Sequence, residues 1–210
     1  MEKQIFNATN DKMIRLALRS ILDKEKEKYR KKGHNAEVFE ELGVSHGTAR
    51  VDFAIVNGVM HGYEIKSDRD TLKRLPEQIK EFSAVFDKMT LVVGKRYLYQ
   101  AIHIVPEWWG IIVAKSDTNN RIVFQVIRKP VINKNQQKEV SIARLLWREE
   151  ALQILEKQNK AGGMKHEPRE VIYNKLADVL DLKALKQTVS ELLISREGWR
   201  SDLQLVTSGD

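Results

Sequence analysis

The sequence predicts an α/β protein: a mixed central sheet flanked by helices, followed by a helical C-terminal extension. Three observations predict it. An opening segment with apolar residues at helical spacing gives way after residue 36 to short apolar runs broken by glycine. Strand-like and helical runs then alternate as far as residue 128, and beyond residue 140 the spacing is helical only.

Residues 11–32 read as a helix, with Met13, Ile14, Ala17, Leu18, Ile21, Leu22 and Tyr29 on one stripe, a charged tail from Lys24 to Lys32, and Gly33 as the stop. From Ala36 the period shortens. Val38, Leu42 and Val44, then Val51, Phe53 and Ile55, then Val59 and Ile65 alternate with other residues, and Asn57-Gly58 between two such runs is a hairpin turn signal. Leu72, Leu75, Ile79, Phe82 and Phe86 step by three and four, so a helix is expected over 70–86. Strands are expected at 89–93, 109–114 and 122–127, with a helix or turn around 97–101. Residues 129–138 have no apolar period and read as a loop. Helices are expected over 141–157, 168–180 and 183–196. The division this suggests is a catalytic-type α/β domain over residues 1–130 and a helical extension over 131–210.

With 210 residues, 42% hydrophobic and 31% charged, the chain can bury one core of ordinary size. Cysteine is absent, which excludes disulfide frameworks, zinc ribbons, iron–sulfur clusters and thiol nucleophiles, and leaves oxygen or imidazole as the ligand of any metal. The opening residues Met1–Phe6 are too polar for a secretory signal, and no apolar run approaches the roughly 20 residues that span a bilayer, so a cytoplasmic protein without a membrane partner is expected. A net charge of +7 and a pI near 9.5 point to a polyanion as partner. Residues 1–36 carry a surplus of five positive charges and residues 116–140 of three, whereas residues 37–115 carry one net negative charge. Phosphate contacts are therefore expected from the two basic flanks, at Lys28, Arg30 and Lys31 and at Arg128 and Lys129.

The slightly acidic middle block holds the chemistry. Glu41 precedes the hairpin, Asp52 lies on its first strand, and Glu64 and Lys66 lie on its second. Phosphodiester hydrolysis needs in-line attack by water, charge neutralisation at the phosphate and stabilisation of the leaving oxygen, most of which Mg²⁺ supplies. A hard cation takes oxygen ligands, so these carboxylates with the backbone carbonyl of Ile65 make a suitable set. Lys66, two residues after Glu64, projects from the same strand face and is suited to orient the attacking water or offset phosphate charge. Strand parity tests the idea. A strict two-residue turn at Asn57-Gly58 would place Asp52 and Glu64 on opposite faces, so an odd-length loop or a bulge is expected.

Glu41, Arg50-Val51-Asp52-Phe53 and Gly62-Tyr63-Glu64-Ile65-Lys66-Ser67 together resemble the D…ExK core of the PD-(D/E)XK nuclease superfamily. The likeness extends to Asp70-Thr71-Leu72, Arg74-Leu75-Pro76, Gln78, the segment 87–94, Val105-Pro106-Glu107-Trp108-Trp109-Gly110, Leu146-Trp147-Arg148 and Trp199-Arg200. This set is similar to a family of small phage and bacterial nuclease-like proteins placed in that superfamily, of largely unassigned role. The resemblance implies a restriction-endonuclease-like sheet, dependence on Mg²⁺ or Mn²⁺, and cleavage of nucleic acid, with DNA the expected substrate. By position, it implies Asp52 and Glu64 as metal ligands, Lys66 as the catalytic lysine, Glu41 as an additional ligand or water-orienting carboxylate, and Gln78 as an auxiliary residue. Val51 stands where the superfamily's name has proline, and Phe82 where its RecB-like branch has tyrosine four residues after the glutamine.

Plainer readings stand beside these. Glu40 competes with Glu41 for the upstream position. His46 and His61, near the constellation and able in principle to bind a metal, read first as ordinary polar residues, and Asp70 or a neighbour as a helix cap. Arg69, Lys73 and Arg74 read as phosphate contacts or as solvated charges, and Trp108-Trp109 as core packing or as a stacking surface. The alternative to an enzyme is a catalytically silent module of the same fold that binds nucleic acid or a protein partner. A homo-oligomer or partner subunit acting through the apolar stripes of the C-terminal helices is a third possibility.

Overall fold

The computed structural model describes residues 7–196; Met1–Phe6 and Trp199-Arg200 lie outside the described residues. Helix α1 spans Asp11–Lys31, close to its expected limits, and Asn10 caps it by accepting from the Met13 N–H at 3.0 Å. Of the predicted stripe only Ile14, Leu18 and Leu22 are buried within α1, while Ile21 is 45% exposed. A helix lying on a flat sheet presents one row at four-residue spacing, and Ile21 falls outside that row.

Six strands follow: β1 (Glu37–Val44), β2 (Ala49–Val56), β3 (Met60–Lys66), β4 (Lys88–Gly94), β5 (Gly110–Ser116) and β6 (Ile122–Arg128). They form one mixed sheet in chain order, antiparallel except for the parallel pairs β3–β4 and β4–β5. The two parallel crossovers carry α2 (Leu75–Ser83) and α3 (Leu98–Ile104). Both advance the same way along the sheet, so both helices fall on one face, where Leu75, Phe82 and Ala101 join Val51, Ala54, Leu91 and Val93 in a common core. On the opposite face α1 packs Ile14, Leu18 and Leu22 against Phe53, Ile55, Tyr63 and Val92.

Helix α2 is shorter than the periodicity predicts. Pro76 stands at its start, which fixes the first turn there, and the preceding residues form a turn in which Asp70 accepts from the Ser67 N–H and hydroxyl at 2.7 and 2.6 Å. Asp70 therefore closes that turn and does not cap the helix. The expected helix over 141–157 is two helices, α4 (Glu139–Ala143) and α5 (Arg148–Lys157). Trp147 is extended between them, with its N–H donating to the Glu150 carboxylate at 2.7 Å.

Helices α6 (Arg169–Val179) and α7 (Leu182–Ser195) complete the C-terminal part. The apolar stripes read as a possible subunit surface turn inward: Ile142, Leu146, Ile172, Leu176, Leu185 and Val189 belong to the same core as the sheet face that carries α2. Lys186 of α7 also pairs with buried Asp87, whose carboxylate accepts from the Met60 N–H at 2.8 Å. Residues 131–196 share the core of the sheet.

Candidate active site

The geometry of the site starts at the β2–β3 turn. Pairing runs from Val56↔Met60 to Phe53↔Tyr63, so the connection is a three-residue loop, Asn57-Gly58-Val59, with Gly58 at φ +89°. Glu64, the residue after the last pair, meets Gln78 of α2, and Asp52 precedes Phe53 on the facing strand. Regular pairing ends one step earlier, and the side chain takes over from the ladder: Asp52 Oδ2 accepts from the Ile65 N–H at 2.6 Å. This explains why an acid stands within an apolar strand without stranding a buried charge.

Glu64 is 2% exposed. Its Oε1 accepts from Lys66 Nζ and, at 2.7 Å, from Gln78 Nε2 on α2, while Oε2 is buried without a hydrogen-bond partner. Gln78 Oε1 is likewise buried and unpartnered. Burial pushes the Glu64 carboxyl up to about 7; the neighbouring Asp52 charge adds to the rise, and Lys66 and Gln78 only partly oppose it. Asp52 is raised for the same first reason, against the pull of Arg15 and of the Ile65 N–H.

Glu41 interrupts the extended run of β1 with a left-handed φ of +54°. A non-glycine residue in that region is strained, and such residues cluster at functional sites. Its carboxylate turns to Arg15 Nη1 at 2.9 Å. Arg15 itself is missing from the sequence-level site. From the first turns of α1 it reaches Asp52 Oδ1 with Nη2 at 2.5 Å, Asp11 with Nε at 3.1 Å, and Glu40 with Nη1 at 3.4 Å. The only trace in the sequence is a basic residue four positions after Asp11 beside the apolar stripe, a pattern that usually means a surface pair.

These residues line a cleft of about 800 Å³ at the end of β3, between the start of α1, the β1–β2 connection and α2, with exposed Arg50, Arg74 and Lys80 on its walls. It lies off the carboxyl end of a parallel strand, where open α/β sheets bind ligands. Among the described residues no group of three or more Asp, Glu or His side chains is gathered as a metal cage. Asp52 and Glu64 are brought together, and Glu41 is drawn aside by Arg15.

The remaining expectations fall elsewhere. Arg69 and Lys73 are exposed and, unlike Arg74, do not line the cleft. Lys28, Arg30 and Lys31 lie at the far end of α1, about 20 Å along the helix from Arg15 at 1.5 Å per residue. Arg30 is engaged there by Glu37 at 2.9 Å. Arg128 is a structural residue: Nε and Nη2 donate to the Trp109 and Pro106 carbonyls at 2.7 and 2.8 Å. It and exposed Lys129 stand at the β6 edge, three strands from β3 and so roughly 14 Å away. Trp109 is 0% exposed, which rules it out as a stacking surface. His46 engages Glu170, and His61, on the α1 face, is hydrogen-bonded to Thr90 at 2.8 Å; neither joins the carboxylates. Among the described residues no helix is long and apolar enough to cross a membrane.

Comparison with known proteins sets this arrangement in a family. Protein cII of Enterobacteria phage P4 is 35% identical over 95 residues, which span 45% of this chain and 36% of that relative, so the match covers little more than a third of the phage protein. A solved structure, the SPO1766 protein of unknown function from Silicibacter pomeroyi, aligns over 65% of this chain and 86% of its own at 15% identity, with a TM-score of 0.35. The family described as Bacteriophage P4 protein cII matches residues 9–207, which takes in the cleft, the whole sheet and the C-terminal helices, and the chain belongs to that family.

Proposed function

We propose that this chain is a divalent-metal-dependent nuclease of the PD-(D/E)XK type, with a restriction-endonuclease-like fold, that hydrolyses phosphodiester bonds in DNA in the cytoplasm. One observation carries the reading: Asp52, Glu64 and Lys66 line one cleft, with Glu64 Oε2 buried and lacking a hydrogen-bond partner. Two carboxylates and the Ile65 carbonyl fit Mg²⁺ or Mn²⁺, because such an ion is commonly held by one or two carboxylates and completes its shell with water and substrate phosphate. When bound, the ion neutralises charge at the scissile phosphate and the leaving oxygen.

The chain's own residues do the rest. Lys66, held against Glu64, donates to the attacking water and sets its direction. Gln78 fixes the Glu64 carboxylate from α2, and the Ile65 N–H fixes Asp52. Arg50, Arg74 and Lys80 are placed to meet backbone phosphates along the cleft.

A second reading, a silent module that binds nucleic acid or a protein, draws support from Arg15, which already fills the space between Asp52 and Glu41. Incubation with linear, supercoiled, branched and single-stranded DNA and with RNA, in Mg²⁺, Mn²⁺ or EDTA, separates the two. The nuclease reading expects metal-dependent cleavage that Asp52→Ala abolishes. Tight metal-independent binding without cleavage supports the module.

A further inference from the structure

Arg15 is the most heavily engaged cation in the cleft, yet phosphodiester hydrolysis at the paired carboxylates gives it no part. Four carboxylates surround it: Asp52 at 2.5 Å, Glu41 at 2.9 Å, Asp11 at 3.1 Å and Glu40 at 3.4 Å. The Asp52 charge leads the interactions that hold the guanidinium in its charged form against the cost of burial. An arginine does not shed its proton in a protein, so this charge is permanent. Asp52 splits its carboxylate between two donors, Oδ1 to Arg15 and Oδ2 to the Ile65 N–H, so the ion pair with Arg15 is what offsets its charge. Glu64 Oε2, across the hairpin, has no such partner. Each carboxylate thus has its own internal cation, Arg15 at Asp52 and Lys66 at Glu64, and the open acceptor atom is Glu64 Oε2.

Resting on the metal-site reading above, we propose that Arg15 is an exchangeable counter-cation of the site. It holds Asp52 and Glu41 in the metal-free protein and must leave Asp52 when a divalent cation binds between Asp52 and Glu64. Two facts favour exchange over coexistence. A divalent ion at Asp52 would meet the guanidinium at ion-pair distance, with like charges in a partly buried cleft. Arg15 also has somewhere to go, since Asp11 and Glu40 sit on its outer side and are more exposed than Asp52. Short movement of one flexible side chain then converts the site without rearranging the sheet. Glu41, released at the same time, becomes free to turn toward the ion, which accounts for a strained, left-handed acid whose present partner is an arginine.

The test is Mn²⁺ binding to the full chain, followed by electron paramagnetic resonance or calorimetry, for wild type, Arg15→Gln, Arg15→Lys and Glu64→Gln. Removing the competing charge in Arg15→Gln is expected to tighten Mn²⁺ binding at least tenfold, Arg15→Lys to leave it within about threefold of wild type, and Glu64→Gln to abolish it. Equal or weaker binding by Arg15→Gln, with Glu64→Gln still abolishing it, overturns the exchange and leaves the metal site standing. Absence of Mn²⁺ binding in both wild type and Arg15→Gln overturns the metal site and the exchange with it. The wild-type protein offers a second readout that needs no variant: the ¹⁵N-resolved Arg15 Nε–H signal, donated to Asp11 at 3.1 Å, is expected to shift during a Mg²⁺ titration in step with occupancy. An Arg15 signal unmoved at saturating Mg²⁺ overturns the exchange.

Discussion

Glu64 is almost wholly removed from water and faces a second carboxylate, and burial holds its carboxyl near 7, well above the ordinary range for glutamate. The sign follows from which form the fold prefers. The folded chain favours the protonated acid, so its contribution is complete below the ordinary glutamate range and is lost as pH rises through about 7. Urea denaturation in EDTA between pH 4.5 and 8 is expected to show that decline in wild type, and Glu64→Gln is expected to flatten it. An unchanged slope in the variant would show that the pair is ionised at little cost. At this scale the sequence was informative about acids and poor on their counter-ions. Asp52 was legible because a carboxylate in an apolar strand demands an explanation. Arg15 was not, because nothing local distinguishes an arginine that reaches round the sheet end from one that lies on the surface.

Among the elements, the β2–β3 hairpin decides whether a site exists. The period-2 alternation of strands makes the number of loop residues a switch between faces, and the three residues 57–59 set it so that Asp52 and Glu64 converge. Gly58 makes the loop possible at φ +89°, where a side chain is strained. Gly58→Ala is expected to cost about 1 kcal/mol, measured by thermal or denaturant unfolding; a neutral effect would show that the loop relaxes to another turn. Parity reasoning reached this loop from sequence because it needs only residue counts. Helix α2 and the α4–α5 break were harder to read, since apolar spacing runs straight through Pro76 and Trp147. A helix end is set by backbone geometry and hydrogen bonds that periodicity does not report. Shortening of α2 matters to the site, because it is the helix that carries Gln78 to Glu64.

In the whole molecule, one core joins the sheet to the helices beyond residue 131. Leu185→Ala in α7 is expected to cost 2–5 kcal/mol, roughly the range for buried leucines, and to speed hydrogen exchange in β4 through global unfolding. Exchange in β4 that ignores the substitution would mark the helices as a separate unit. The net charge of +7 reads differently once placed in space: its excess lies at the end of α1 and near the β6 edge, away from the cleft. Reversing Arg50, Arg74 and Lys80 is therefore expected to weaken DNA binding and reduce the slope of log affinity against log salt by about one for each phosphate left without its cation. Reversing Lys28, Arg30 and Lys31 is expected to do less, and the opposite ranking in salt-dependent binding would move the substrate path to that flank. Whether the cleft is a nuclease site is decided by following cleavage and binding of the same DNA by wild type and Lys66→Ala in Mg²⁺. Metal-dependent cleavage is expected of wild type, with a loss of roughly a hundredfold or more in Lys66→Ala and DNA binding retained. Equal cleavage by the two proteins, or none by wild type in either Mg²⁺ or Mn²⁺, would contradict a nuclease centred on Lys66.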